Sequence, residues 1–363
     1  MTTVNRILNF SAGPAVLPLE VLQQAQQDLL SLPGVGMSIL EVSHRSKPFE
    51  EILAGCEADL RTLAGIPENY HVLFLQGGAS LQFSMVPMNL LAADRSADYV
   101  VTGAWSQKAV KEAKRVGGVK IAASAESDNF TGVPSQAELT LDPAAAYVHY
   151  TTNNTIFGTE FHYVPDTGEV PLVADMSSDI CSGPFDVSKF ALIYAGAQKN
   201  LAPAGVTLAI VRNDMLSRTP KTLATMLQYG VHVENKSMYN TPPVFAIYVM
   251  RLVLAWLLKR GGLAAVDAQN SRKSDKLYAE IDRTEFYRGH ARQDSRSRMN
   301  ITFRLPSEEL EKKFAREATA AGLDGLKGHR SVGGMRASIY NAFPEEGVDA
   351  LVQFMREFEK RNG

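Results

Sequence analysis

The fold is decided by residues 192–211, which read Leu192-Ile193-Tyr194-Ala195-Gly196-Ala197-Gln198-Lys199-Asn200-Leu201-Ala202-Pro203-Ala204-Gly205-Val206-Thr207-Leu208-Ala209-Ile210-Val211. A short apolar run enters a turn of small residues that carries Lys199, and a Pro/Gly-containing loop leads into a second apolar run. An earlier apolar run, residues 170–174, ends at Asp175. Ligands of an open α/β sheet bind beyond the carboxyl ends of its strands, so the pattern predicts that Asp175 and Lys199 face one crevice.

A lysine and a carboxylate in one crevice form the pair that pyridoxal 5'-phosphate chemistry requires. The lysine amine can bind the cofactor covalently, and the carboxylate can hold a protonated pyridine nitrogen. Two alternatives remain open from these residues alone. The two side chains could form an ordinary ion pair, or Lys199 could be a surface residue, as most lysines are.

Strands and helices alternate between residues 72 and 211. Strands are predicted at Val72–Leu75, Tyr99–Thr102, Val119–Ala122, Tyr147–Tyr150, Val170–Asp175, Leu192–Tyr194 and Val206–Val211. Such alternation predicts an α/β fold with a mostly parallel, doubly wound sheet. A helix at residues 244–260 ends at Gly261-Gly262, and a shorter mixture of helices and strands follows. We therefore expect a large domain over residues 16–260 and a smaller α+β domain over residues 261–363.

Composition excludes several classes of function. The formal net charge of the 363 residues is −2, which argues against a surface for nucleic acid. The two cysteines, Cys56 and Cys181, form no CxxC motif, so neither a disulfide framework nor a metal site is expected. The most apolar run, residues 244–258, contains Arg251 and is too short to cross a bilayer. The first residues show no signal-peptide pattern, so we expect a cytoplasmic protein.

Five short motifs, taken together, resemble the phosphoserine aminotransferase family. They are Asn9-Phe10-Ser11-Ala12-Gly13-Pro14, Val42-Ser43-His44-Arg45, Gln76-Gly77-Gly78-Ala79-Ser80, Gly196-Ala197-Gln198-Lys199-Asn200 and Gly328-His329-Arg330-Ser331-Val332-Gly333-Gly334-Met335-Arg336-Ala337-Ser338. Each motif alone is weak, but all five occur in the family's order from residue 9 onward. The resemblance implies the fold-type I aminotransferase architecture of the class-V enzymes, with residues 1–15 packed on the small domain.

The resemblance also implies which residues hold pyridoxal 5'-phosphate. Lys199 would carry the cofactor and Asp175 would bind its ring nitrogen. The remaining contacts would come from Ala79, Ser80, Trp105, Thr155, Gln198, Asn240 and Thr241. The family takes the last two from the other subunit, which implies a homodimer with shared active sites. A phosphate site at Gly77-Gly78 also fits the residues themselves, because backbone N–H groups at the start of a helix bind anions.

The expected substrates carry anions at both ends. The resemblance implies amino transfer from L-glutamate to 3-phosphohydroxypyruvate, giving O-phospho-L-serine and 2-oxoglutarate in serine biosynthesis. It also implies action on the phosphorylated hydroxythreonine of pyridoxine biosynthesis. Arg336 would hold the α-carboxylate, and the distal anion would be held by His44, Arg45, His329 and Arg330. His329 and Arg330 are expected from the partner subunit.

Four other functions are alternatives to this one. Another pyridoxal phosphate enzyme of this fold, such as an alanine–glyoxylate aminotransferase, is the nearest alternative. A cysteine desulfurase would need a cysteine in the small domain, where neither Cys56 nor Cys181 lies. The sequence lacks the glycine fingerprint that a nicotinamide dehydrogenase would need. A catalytically silent binding protein on the same fold would not form a coloured complex with the cofactor.

Overall fold

The computed structural model describes residues 6–363. Its helices, numbered along the chain, are α1 (Leu19–Asp28), α2 (Lys47–Ala64), α3 (Gly78–Leu90), α4 (Ala104–Ala113), α5 (Tyr229–Glu234), α6 (Val244–Lys259), α7 (Gly262–Ile281), α8 (Glu308–Ala320) and α9 (Glu345–Asn362). Its strands are β1 (Leu8–Asn9), β2 (Tyr70–Leu75), β3 (Ser96–Val101), β4 (Gly118–Ser124), β5 (Val148–Thr151), β6 (Asn153–Asn154), β7 (Thr159–Glu160), β8 (Leu172–Asp175), β9 (Leu192–Gly196), β10 (Thr207–Arg212), β11 (Arg288–Gly289), β12 (Asn300–Arg304), β13 (Leu323–Asp324) and β14 (Met335–Ser338).

The central sheet has seven strands in the order β2-β10-β9-β8-β5-β3-β4. All neighbours from β9 to β4 are parallel, whereas β10 is antiparallel to both β2 and β9. The predicted mostly parallel sheet is therefore confirmed. Because β2, β3, β5, β8 and β9 all point the same way, the residues that follow them meet at one edge of the sheet.

Both faces of this sheet are buried. Along β2, Val72 and Phe74 belong to one apolar core, while Leu73 and Leu75 belong to a second core on the other face. Helices α2 and α6 pack on the first face, and α3 and α4 on the second. Burial on both sides explains why these strands read as continuous apolar runs rather than as alternating ones.

A separate apolar core forms near the C-terminus around the antiparallel sheet β11-β12-β14. Helices α8 and α9 supply Phe314 and Phe358 to it. Helix α7 joins the two regions, since Leu263 lies in the core of the large sheet and Leu277 lies in this smaller core. The domain limits proposed from the sequence, residues 16–260 and 261–363, remain a prediction.

The N-terminal segment connects the C-terminal region to the lysine loop. Strand β1 pairs in parallel with β13, and the Phe10 N–H donates to the carbonyl of Asp324 at 2.8 Å. Further along, the Ala15 N–H donates to the carbonyl of Gln198 at 3.0 Å. Residues 1–5 of the predicted packing segment lie outside the described residues. Among residues 6–363, no helix is both long enough and apolar enough to cross a membrane.

Candidate active site

A cavity of about 350 Å³ opens at the edge of the sheet where the parallel strands end. Seven residues predicted for the cofactor line it together: Ala79, Ser80, Trp105, Thr155, Asp175, Gln198 and Lys199. They come from five different segments of the chain, each positioned by the strand before it. The cavity is thus the crevice that the strand pattern predicted.

Lys199 follows β9 and points into this cavity. Its Nζ donates a hydrogen bond to Thr155 Oγ1 at 2.7 Å. Burial disfavours the ammonium form and lowers the pKa of Lys199 to about 8, although the Asp175 carboxylate opposes this shift. The Arg336 charge contributes to the lowered pKa of Lys199. At pH 7 roughly a tenth of the amine is therefore uncharged, far more than for an ordinary lysine, and the uncharged form is the one that a nucleophilic or proton-accepting lysine requires.

Asp175 ends β8 and is only 3% exposed. Its Oδ1 accepts two hydrogen bonds from Ser177, one from the backbone N–H at 3.0 Å and one from Oγ at 2.6 Å. Burial raises the pKa of Asp175, and the bonds from Ser177 and the charge of Lys199 only partly offset that rise. A cation placed next to this buried carboxylate would stabilise its charged form.

Ser177 is a positioning residue that the sequence analysis missed. Besides orienting Asp175, its Oγ accepts a hydrogen bond from the Gly196 N–H at 3.0 Å, so it ties the ends of β8 and β9 together. The Asp-Met-Ser spacing after an apolar strand is typical of a side-chain-to-backbone turn and could have revealed it.

The start of α3 provides the anion-binding end of the cavity. Gly77 and Gly78 have φ values of 86° and 64°, in the left-handed region that favours glycine. A Cβ on Gly77 would lie 2.6 Å from the Leu81 side chain. Within the described part of the chain, residues 6–363, no side chain caps the first N–H groups of this helix, which leaves them available for a phosphate.

Trp105 lies in the first turn of α4 and forms one wall. Lys199 Nζ lies 5.9 Å from the centroid of its ring. Within residues 6–363, three buried polar atoms of the lining have no hydrogen-bond partner, namely Trp105 Nε1, Thr151 Oγ1 and Asn153 Oδ1. Buried polar groups are seldom left unpaired, which indicates that they face a ligand.

These features together fit pyridoxal phosphate. Amine, carboxylate, aromatic wall and helix N-terminus line a single cavity, and the unpaired polar atoms lie in the same lining. Each group matches a part of the cofactor: its aldehyde, its ring nitrogen, its ring face and its phosphate.

Arg336 lies on β14 at the side of the cavity. Its Nη1 donates to the carbonyl of Thr155 at 3.4 Å, and its buried Nε has no partner among the described residues. Burial lowers the pKa of Arg336. Because Thr155 also contacts Lys199, Arg336 is placed within reach of a substrate bound at the amine.

His329 and Arg330 lie in the loop between β13 and β14. Burial lowers the pKa of His329, and the charges of Arg336, Arg330 and Lys108 lower it further. Val332, in the same loop, packs against the same apolar core as Trp105. The loop therefore lies beside the site of its own chain. The family resemblance, by contrast, implies that His329 and Arg330 serve the partner's site.

His44 and Thr241 do not line the Lys199 cavity. Both line a second cavity of about 510 Å³ together with Leu40 and Pro203. The Gln76 side chain donates to the carbonyl of Thr241 at 2.8 Å. The two remaining predicted residues of this group, Arg45 and Asn240, also lie outside the lining of the Lys199 cavity.

Comparison with known proteins identifies the family. The class-V aminotransferase model matches residues 7–351. The chain belongs to this family. Phosphoserine aminotransferases from Desulfosudis oleivorans and Desulfatibacillum aliphaticivorans are 58% and 57% identical to it, over 99% of each chain. The solved phosphoserine aminotransferase from Bacillus circulans subsp. alkalophilus superposes with a TM-score of 0.97 at 53% identity, covering 99% of both chains.

Membership of the class-V aminotransferases confirms the predicted fold type, and the chain is therefore an aminotransferase that uses pyridoxal phosphate. A pyridoxal phosphate-bound phosphoserine aminotransferase from Trichomonas vaginalis superposes with a TM-score of 0.92 at 42% identity, over 97% of this chain and 100% of that one. An alanine–glyoxylate aminotransferase from Nostoc is 18% identical with a TM-score of 0.77. That likeness shows the fold alone, so the nearest alternative function gains no support.

Proposed function

We propose that this chain transfers the amino group of L-glutamate to 3-phosphohydroxypyruvate, producing O-phospho-L-serine and 2-oxoglutarate. The observation that carries the proposal is that Lys199 and Asp175 share a cavity beside Arg336, His329 and Arg330. A site with several cations and a buried amine suits substrates that have an anion at each end.

Pyridoxal phosphate, when bound, supplies an aldehyde carbon that accepts an amino group and a ring that withdraws electrons from the substrate α-carbon. Lys199 is the proposed base. Its Nζ has a pKa of about 8, so the neutral amine can accept the proton that leaves the α-carbon. Thr155 Oγ1 holds the amine in place, and the Trp105 wall excludes water from it.

Asp175 is proposed to keep the ring nitrogen protonated. Ser177 occupies its Oδ1, while Oδ2 has no hydrogen-bond partner among residues 6–363 and is free for a cation. A cation there would return the raised pKa of Asp175 toward its ordinary value, because opposite charges stabilise each other in a buried site.

Replacing Asp175 by asparagine should slow transamination while the cofactor stays bound. The neutral amide cannot stabilise a charged ring nitrogen, a charge-assisted bond worth about 1.5–3 kcal/mol, which corresponds to roughly a 10- to 150-fold loss of kcat. Steady-state kinetics and cofactor titration would measure the two effects separately. The matched control is Asp186→Asn, which changes an exposed carboxylate. Turnover of Asp175→Asn equal to that of the control would remove Asp175 from the mechanism.

The proposed enzyme is a cytoplasmic homodimer in which the sites are shared. His44 and Arg45 lie at a surface that also exposes the apolar side chains of Leu40 and Tyr239. Exposed apolar groups beside cations suit an interface with a second copy of the chain. We propose that the segments containing His44–Arg45 and Asn240–Thr241 serve the partner's site. Because the loop carrying His329 and Arg330 lies beside Arg336, we assign it to the site of its own chain.

Mixed dimers would test this division. Arg45→Ala chains exchanged with Lys199→Ala chains should regain activity, because one site of each mixed dimer contains Lys199 and an intact Arg45. Random exchange of equal amounts should restore about one quarter of wild-type activity, since half of the dimers are mixed and each has one good site. Arg330→Ala exchanged with Lys199→Ala should not recover, because the only site with Lys199 would lack Arg330.

Subunit exchange must be demonstrated in both mixtures, for example by mass spectrometry of differently tagged chains. Recovery of activity in the Arg330→Ala mixture would show that Arg330 serves the partner's site, as the family resemblance implies. Failure of the Arg45→Ala mixture to recover would remove Arg45 from a shared site.

The reaction itself is tested by following nitrogen. Incubation of ¹⁵N-labelled L-glutamate with 3-phosphohydroxypyruvate and the holoenzyme should give ¹⁵N-labelled O-phosphoserine, detected by mass spectrometry. Absence of labelled phosphoserine with a fully loaded enzyme would refute the proposed function.

The same distal anion site suits 4-phosphohydroxy-L-threonine. We therefore extend the proposal to the formation of this compound for pyridoxine biosynthesis. An assay with the corresponding oxo acid as amino acceptor would test the extension.

A further inference from the structure

Lys108, on α4, is a cation without an assigned role. Its side chain is exposed, and its Nζ lies 4.1 Å from the centroid of the Trp105 ring. No carboxylate of the described residues forms an ion pair with it, and Glu112, one turn further along α4, pairs with Arg115 instead. The indole face thus holds the ammonium group of Lys108. The N–H donors of this ammonium group stay free to bind an anion.

The position of Lys108 relates it to the catalytic amine. Lys199 Nζ lies 5.9 Å from the same indole centroid, so the two amines are within about 10 Å of each other. The phosphorus of O-phosphoserine stands roughly 4 Å from the α-carbon, judged from ordinary bond lengths. A substrate that reacts at Lys199 can therefore direct its phosphate toward Lys108.

The charged side chains that act on His329 are all cations. Lys108, Arg330 and Arg336 each act on His329, and no carboxylate is among the charges that do so. Without a bound anion, the like charges of such a cluster repel one another. A bound anion reduces this repulsion. A phosphate, with about −1.5 to −2 charges, relieves it more than the single charge of a carboxylate does.

We propose that Lys108 is a specificity-determining residue that binds the substrate's phosphate and favours it over the side-chain carboxylate of glutamate. This inference rests on the proposed function. In an alternative role, Lys108 would only cover the indole ring, and its alkyl chain rather than its charge would matter.

Three variants separate the two roles. Lys108→Met keeps the alkyl packing on Trp105 and removes the charge, whereas Lys108→Arg keeps the charge. Lys111→Met is the matched control, because Lys111 is an exposed lysine one turn further along α4 and is not among the charges that act on His329. Each half-reaction is followed separately by single-turnover kinetics on the holoenzyme.

Lys108→Met should raise the half-saturating concentration of O-phosphoserine about five- to tenfold and leave the maximal rate unchanged, while glutamate changes less than about twofold. Lys108→Arg should retain the wild-type preference. Binding of two inert analogues, 3-phosphoglycerate and glutarate, is measured by calorimetry as a readout independent of turnover. Only the phosphorylated analogue should bind more weakly to Lys108→Met.

Equal effects of Lys108→Met on both substrates, or effects no larger than those of Lys111→Met, would overturn the inference. These outcomes differ from failure of the proposed function, in which the wild-type holoenzyme would not transaminate O-phosphoserine at all.

Discussion

Replacing Lys199 by alanine should give a folded chain that binds pyridoxal phosphate without a covalent bond and transaminates about 10²- to 10⁴-fold more slowly. The size of this loss is the usual contribution of a positioned acid–base group. Among the residues that the structure describes, Lys199 is the only lysine that lines the cavity described above, and burial has already lowered its pKa to about 8. The matched control is Lys189→Ala, which removes an exposed lysine.

Borohydride reduction followed by peptide mapping checks this prediction directly. Reduction of the wild-type holoenzyme should place the pyridoxyl group on the peptide that contains Lys199, and Lys199→Ala should yield no labelled peptide. A pyridoxyl group on a different lysine, or near-normal turnover of the variant, would contradict the assignment.

Replacing Arg336 by alanine should impair glutamate and O-phosphoserine alike, because both present the same α-carboxylate. Truncating one partner of a buried charge pair costs about 2–4 kcal/mol, which corresponds to roughly a 30- to 700-fold loss of kcat/KM for each substrate. Arg336→Lys should recover only part of this loss, since a lysine cannot form the two parallel hydrogen bonds of a guanidinium group.

The control for Arg336 is Arg316→Ala on α8, which removes an exposed arginine. Kinetics of both half-reactions would distinguish the roles of the cations. A loss confined to O-phosphoserine would move Arg336 to the distal anion site, and no loss for either substrate would exclude it from substrate binding.

The sequence predicted the parts of the site that depend on strand ends. Asp175 and Lys199 come at or just after the ends of short apolar runs that predict buried strands, and the parallel sheet brings such ends together. The direction of β10 could not be predicted in the same way, because an apolar run has the same pattern in either direction.

Other parts of the site depend on tertiary contacts that have no local signal. The loop containing His329 is placed by the packing of Val332 and by strands β13 and β14, which pair with segments far away in the chain. Thr151 ends the short buried strand β5, and no motif around it marks its hydroxyl group as part of a site. The role of Lys108 likewise depends on its position over Trp105, which only the folded chain reveals.

The central claim is that this aminotransferase selects a phosphorylated substrate, and one measurement tests it most directly. With glutamate as amino donor, kcat/KM is compared for 3-phosphohydroxypyruvate and for hydroxypyruvate, which lacks the phosphate. The cations around the distal anion should favour the phosphorylated oxo acid by at least about 100-fold, since the unphosphorylated one leaves them unpaired. Equal kcat/KM values for the two oxo acids would contradict the account.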